Sequence, residues 1–362
     1  MKKNRIVSFL MILALLFTTA CGANNDSSKY PNGEVKVYNW GEYIDPEVIT
    51  NFENEYGIKV IYDMYETNEE LYPIIELGSV KYDCICPSEY MIEKMINKDL
   101  LMELDFDKIP NAKQKIGEKY WSIIDQVDKG RKHTVPYMAG SVGILYNKTL
   151  LDEKGLPYPK HWSDLWNDAY NQEILMQNSV RDCMMVALKM DGASANTLNE
   201  EEIKTATDKL IAQKPLVQAY VVDQVRDKMV AGEAMVAVIY SGEVLYVSNE
   251  AGDKYQFEYI LPDEGTNIWL DAWCIPKSSE NVDNAHKWLN YMCDVDVAVK
   301  NAEFITYESP IDEAKSLISD DCKLDENMSL NNNPKNEVFR DLGEAGTELY
   351  NSYWKKIKGN AD

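Results

Sequence analysis

The stretch Val35-Lys36-Val37-Tyr38-Asn39-Trp40-Gly41-Glu42-Tyr43-Ile44-Asp45-Pro46-Glu47-Val48-Ile49 contains a strand, a short loop and the opening of a helix. Val35 to Tyr38 reads as the strand. Asp45-Pro46-Glu47 starts the helix with a capping side chain, a proline in the first turn and an acid near the positive dipole end. The helix turns Val48, Ile49, Phe52 and Tyr56 to one apolar face, and Gly57 stops it. Ile58 to Met64 is a second strand. Thr67-Asn68-Glu69-Glu70 has the form of a capping box for a helix containing Leu71, Ile74 and Ile75. Tyr82 to Cys86 is a third strand and Glu89 to Asn97 a third helix. Three successive strand–helix units imply a mostly parallel sheet with helices on both faces.

The alternation resumes beyond residue 140. Val142–Tyr146, Ile174–Met176, Leu216–Val221, Met235–Tyr240 and Trp269–Ile275 read as strands. Trp162–Asp168, Arg181–Met190, Glu200–Ala212 and Gln224–Val230 read as helices, and the remainder is largely helical. Met184 and Met185 fit core filling. At 362 residues the chain exceeds one ordinary core, so two α/β lobes with a cleft between them are expected. In such sheets ligands gather at the carboxyl ends of strands.

Lys and Arg number 37 against 60 Asp and Glu, a net charge of −23 that opposes nucleic acid or an anionic membrane surface as partner. At the start, Lys2, Lys3 and Arg5 precede an apolar run from Ile6 to Phe17 and then Thr18-Thr19-Ala20-Cys21-Gly22. That order resembles a secretory signal over residues 1–20 with a bacterial lipoprotein processing site, lipidated at Cys21, although Leu is usual at Thr18. Residues 21–32 then form a linker. Cys84, Cys86, Cys183, Cys274, Cys293 and Cys322 remain, most of them expected as small buried hydrophobes. His133, His161 and His286 lack metal-ligand spacing. No phosphate loop or nucleophile elbow is present.

The strand ends carry one kind of chemistry. They offer Asn39-Trp40, Tyr65-Glu66, Pro87-Ser88-Glu89-Tyr90, Tyr240-Ser241-Gly242-Glu243 and Trp269-Leu270-Asp271, with no Arg or Lys among them. Rings and carboxylates without basic residues suit a cation with an apolar body. Glu66, Glu89 and Glu243, taken singly, read as solvated surface acids.

Tyr38-Asn39-Trp40-Gly41-Glu42-Tyr43, Tyr65-Glu66-Thr67-Asn68-Glu69, Tyr82-Asp83 with Pro87-Ser88-Glu89-Tyr90, Val135-Pro136-Tyr137 and Trp269-Leu270-Asp271 occur in this order. Together they resemble the spermidine/putrescine-binding proteins of polyamine ABC importers. The resemblance implies a type II solute-binding fold whose lobes close on an extended polyamine and deliver it to a permease, with no chemistry on the ligand and no cofactor. It implies ligand contacts at Trp40, Tyr43, Ser88, Tyr90, Asp182, Tyr240, Trp269, Asp271 and Tyr307, with Asp271 holding an ammonium group. Glu66, Ser179 and Glu243 are further candidates. Lobe 1 would comprise 33–140 plus 271–307, and lobe 2 would comprise 141–270 plus 308–362, in a monomer. The hinge would lie near Ala139-Gly140, Trp269-Leu270 and Tyr307-Ser309. Gly41 stands where the family usually has a hydroxyl, Ser179 where spermidine binders have an acid, and Phe339 where a polar residue is usual. The lost acid favours a diamine. A receptor for another small organic cation, and an exported hydrolase or transferase using strand-end acids, are the alternatives.

Overall fold

In the computed structural model residues 29–323 and 330–359 are described. The expected signal sequence and Cys21 lie outside them. β1 (Glu34–Trp40) pairs in parallel with β2 (Lys59–Tyr65) and β3 (Cys84–Ile85). Between them run the helices Pro46–Tyr56 and Asn68–Leu77. Asp45 caps the first through the Glu47 amide, and Gly57 ends it in the left-handed region at φ 61°. Thr67 accepts from the Glu70 amide, while the Glu70 carboxylate reaches back to the amide of Glu66 rather than to that of the cap.

Asp83, fully buried beside β3, ties distant segments together. Its Oδ1 accepts from the Ser279 hydroxyl and from the amides of Glu280 and Asn281, and its Oδ2 from the amide of Lys36 and the Asn281 side chain. Such a buried carboxylate is tolerable because its lone pairs are used. Asp83 is therefore an organiser of the fold.

β4 (Thr134–Asn147) is buried along its whole length and runs beyond the expected 142–146 in both directions. It pairs antiparallel with β9 (Ile268–Cys274), β7 (Val236–Tyr240) and β8 (Phe257–Ile260). β5 (Ile174–Gln177) joins β6 (Val217–Val221) and β7 in parallel. The order is β2-β1-β3-β9-β4-β7-β5-β6, with β8 on β4. The outer strands form the expected parallel ladders. The antiparallel ladders arise from β4 and β9, which cross between the halves and close each sheet from the middle. Sequence reading also passed over β8 and the short helices Pro110–Lys115 and Glu118–Ile124.

One core gathers Val35, Phe52, Ile92, Tyr137, Trp273 and Trp288. A second gathers Ile144, Trp162, Met184, Met185, Val238 and Tyr350, and a smaller one covers the opposite face with Leu175, Ala237 and Ile239. Ile311, Ala314, Leu330 and Val338 pack on the first core, although the expected partition gives 308–362 to lobe 2. Four segments meet between the cores: Ala139 and Gly140 of β4 face Leu270 and Trp269 of β9, Glu308 bridges to Ala139, and Glu337 bridges to Asn267. Here Gly140 is required, because a Cβ would lie 2.5 Å from the Trp269 ring. Among the described residues the six cysteines are free, five of them buried and Cys322 half-buried.

Candidate functional site

The end of β1 supplies one wall. The Trp40 indole N–H donates to the Cys86 carbonyl at 2.8 Å and the Tyr65 hydroxyl donates to the same oxygen at 2.7 Å, with the rings 4.6 Å apart. Trp40 is thus held with one part buried and one part open. Glu42 takes a positive φ of 51° and stays exposed, which turns the chain so that Tyr43 enters the interior. The Tyr43 carbonyl accepts from the Tyr137 hydroxyl at 2.7 Å, and the Tyr43 hydroxyl donates to Asp271 Oδ2 at 2.8 Å.

Asp271 sits on β9, bridged to Ser88 and only 6% exposed. Among the described residues its other oxygen, Oδ1, is buried with no hydrogen-bond partner. Burial pushes this carboxyl up to about 6, against the opposing pull of the Ser88 and Tyr43 hydroxyls. Beside it is Glu89, the first residue of the helix Glu89–Asn97. Contrary to the expected surface position, Glu89 is fully buried, since that helix start is roofed by β9. Its Oε2 accepts from the Leu270 amide at 3.2 Å, and its Oε1 has no hydrogen-bond partner among the described residues. Burial, then the charge of Asp271, raises Glu89 to about 8, so it is mostly protonated at neutral pH.

Asn68, which the sequence reading did not single out, positions two expected residues. Its amide nitrogen donates to the Ser88 hydroxyl at 3.2 Å and to the Tyr90 hydroxyl at 3.0 Å, and Tyr90 in turn donates to Glu69. Tyr90 packs against both large cores and so stands where they meet.

The second wall starts at the helix Val180–Met190. Ser179 caps it by accepting from the Asp182 amide at 3.4 Å. The expected ligand candidate Ser179 is therefore committed to the helix end. Asp182 is buried and accepts from the Tyr240 hydroxyl at 2.9 Å; burial raises its pKa, with Ser179, Tyr240 and Arg181 opposing. The Arg181 guanidinium points elsewhere, to the Arg340 and Ala195 carbonyls and to Asn196, and stacks 4.4 Å from Phe339. Phe339 thus serves as a platform for that cation.

Trp269 joins the walls. Its ring meets Tyr240 edge-on at 6.3 Å and Tyr307 at 5.0 Å, and Tyr307 lies 6.1 Å from Tyr43. The Trp269 indole nitrogen is buried and has no hydrogen-bond partner among the described residues. The structure therefore brings Tyr43, Ser88, Tyr240, Trp269, Asp271 and Tyr307 together, with Trp40, Tyr90 and Asp182 at the margins.

The two further acidic candidates part ways: Glu66 keeps the solvated surface position expected of it, and Glu243 does not. Glu66 is exposed and lines a shallow surface hollow with Gly41, Met64, Tyr65 and Glu70. Glu243 is buried and paired with Arg226, which donates through Nε and, at 2.7 Å, through Nη2. The strand ends are thus not free of basic residues: Arg226 reaches this one from the neighbouring helix Gln224–Ala231. Spacing along the chain carries no signal of that pair, which lies on two different helices.

The remaining chemistry is that of a cation site. Two buried carboxylates, Asp271 and Asp182, stand among these rings with no Lys or Arg nitrogen in ion-pair contact among the described residues, and an ammonium group would give each the charge partner that burial makes valuable. Among the described residues no group of His, Cys, Asp and Glu is arranged to hold a metal ion.

Comparison with known proteins agrees over nearly the whole chain. The spermidine/putrescine-binding periplasmic protein of Salmonella typhimurium is 30% identical over 351 residues, covering 96% of this chain and 95% of the relative. The solved structure of a putative spermidine/putrescine ABC transporter protein from Listeria monocytogenes is 34% identical with a TM-score of 0.81, covering 90% of this chain and 98% of that one. The Tp0655 lipoprotein of Treponema pallidum is 26% identical with a TM-score of 0.80, over 90% and 99% of the respective chains. The family profile described as bacterial extracellular solute-binding protein matches residues 47–329. The cluster of buried acids and rings where two cores meet, together with that match, shows that the chain belongs to the bacterial extracellular solute-binding proteins.

Proposed function

We propose that this protein is the polyamine receptor of an ABC importer, lipid-anchored through Cys21 and acting as a monomer. The observation that carries the reading is Asp271. Among the described residues its Oδ1 is buried without a hydrogen-bond partner while Oδ2 is held by Tyr43, and the rings of Tyr43, Tyr307 and Trp269 follow one another in a row. An ammonium group on a methylene chain fits this arrangement: the charge meets Asp271 and the methylenes lie on the rings. The names of the Salmonella and Listeria relatives point the same way. The two cores act as lobes 33–140 plus 271–307 and 141–270 plus 308–362, apart from the late segments that return to the first core. The lobes rotate about the crossing at Ala139, Gly140, Trp269 and Leu270, and ligand contacts from both sides favour the closed arrangement read by the permease.

Calorimetric titration of the mature chain with putrescine, spermidine and spermine tests the reading. Binding should also raise the melting temperature, because a ligand at a hundred times its Kd stabilises the folded state by about 2.7 kcal/mol. No heat and no melting shift with all three would remove the polyamine assignment. The anchor has its own test: Cys21→Ser should release the chain from the membrane fraction, and unchanged membrane retention would exclude lipidation there. The Treponema pallidum relative is itself a lipoprotein.

A further inference from the structure

Three buried carboxylates around the cleft each accept a hydrogen bond from a tyrosine hydroxyl. Tyr43 donates to Asp271 at 2.8 Å, Tyr240 to Asp182 at 2.9 Å and Tyr307 to Glu243 at 2.8 Å. The three tyrosines are linked through rings: Tyr240 and Tyr307 both meet Trp269, and Tyr307 meets Tyr43. The three acids are therefore equivalent in kind, each a carboxylate steadied by a phenol at the edge of one aromatic surface. They differ in one respect. Among the described residues, neither Asp271 nor Asp182 has a Lys or Arg nitrogen in ion-pair contact, whereas Glu243 is held by both forks of Arg226.

We infer that Arg226 is a built-in cation: it occupies on Glu243 the position an ammonium group would take, and so limits the cleft to ligands with two ammonium groups. This rests on the receptor reading above. The geometry favours permanent occupation, since a bidentate guanidinium–carboxylate pair is both strong and directional. The Glu243 side chain is 8% exposed and that of Arg226 is 30% exposed, so the guanidinium enters from the rim and covers the acid beneath it. Tyr307 and Gly242 close the inner side; a Cβ on Gly242 would collide with the Tyr307 ring. With Glu243 neutralised, Asp271 and Asp182 are left to receive ligand charge, and burial has raised the pKa of both, against the Ser88 and Tyr43 hydroxyls at Asp271 and against Ser179, Tyr240 and the more distant Arg181 charge at Asp182. A third ammonium group would meet the Arg226 guanidinium instead of a carboxylate, and like charges repel.

The experiment measures the ratio of spermidine to putrescine affinity by calorimetry in the full mature chain. The unmodified protein should favour putrescine. Arg226→Ala frees Glu243 and should shift the ratio toward spermidine by about tenfold or more, the effect of one charge-assisted hydrogen bond gained by the triamine alone. Adding Glu243→Gln to Arg226→Ala should return the ratio to its original value, and because that double variant leaves no uncompensated buried charge, it also serves if the single variant folds poorly. A ratio unchanged in Arg226→Ala, or a double variant that still shifts toward spermidine, overturns the internal-cation role while leaving the receptor reading intact. No heat from any polyamine in the unmodified protein overturns the receptor reading, and this inference with it.

Discussion

Replacing Asp271 by asparagine is expected to weaken polyamine binding by about a hundredfold, with little change in fold. The substitution keeps the shape and an acceptor for the Tyr43 hydroxyl, but removes the charge that an ammonium group needs after it has left water. Truncating one partner of a buried charge pair costs about 2–5 kcal/mol, and about 1.4 kcal/mol corresponds to tenfold in affinity. Calorimetry on Asp271→Asn checks this, with a melting curve in the absence of ligand as the control for folding. Affinity within a factor of two of the unmodified protein would place Asp271 outside the site.

The same carboxyl sets a pH dependence. Burial pushes the Asp271 carboxyl up to about 6 in the folded chain, above the ordinary aspartate range, with the Ser88 and Tyr43 hydroxyls opposing. The ammonium binds the ionised form, so affinity is intact above this value and falls as pH drops through 6, by up to about tenfold per pH unit as protons compete for the site. Without ligand the sign for stability is the reverse. The protonated form is the favoured one in the fold, so the contribution of Asp271 to stability declines as pH rises from the ordinary aspartate range through 6. Glu89, raised to about 8, extends that decline to higher pH. Affinity that stays level between pH 7 and 5 would show that a different acid takes the charge.

Trp273→Ala is expected to destabilise the protein by about 3–5 kcal/mol, the cost of removing a fully buried large aromatic ring from a close-packed core. Trp273 has no exposure and lies on β9 two residues beyond Asp271, hence on the same face of the strand. Its ring is 4.9 Å from Tyr137 and 6.0 Å from Trp288, and Trp288 meets Phe52 at 5.0 Å. Tyr137 lies 5.6 Å from Tyr43 and donates to its carbonyl. A row of rings thus runs from the floor of the first core to the tyrosine that holds Asp271. Loss of Trp273 should lower the denaturant midpoint and also weaken binding, because Tyr137 loses the surface that fixes its angle. Trp273→Phe should recover much of both. An alanine variant as stable as the parent would mean that the core refills the space, and binding unchanged in a destabilised variant would separate the site from this row.

Local signals were legible where one short segment carries all the information. Asp45, Thr67 and Gly57 mark helix ends by their own side chains or by the lack of one, and each does so in the structure. The strand at Thr134–Asn147 was only partly legible because Pro136, Gly140 and Gly143 interrupt its pattern. The structure absorbs the proline at a register shift between Pro136 and Met138 and uses Gly140 for close approach to Trp269. Glu89 was misplaced for a different reason. Its position at a helix start is local, but its burial depends on β9 arriving from far along the chain.

The sequence by itself determined the strand–helix order, the two-lobe class and the acids and rings that end the strands, because propensity, capping and hydrophobic period act within a few residues. Only the tertiary structure decided which of those acids carry usable charge. Among the described residues Asp271 and Asp182 emerge without a Lys or Arg ion-pair partner, Glu89 is buried into its protonated form, and Glu243 is neutralised by Arg226. The physical reason is that a carboxylate's charge depends on burial and on the groups within a few ångströms, and the fold draws those groups from segments far apart in the chain.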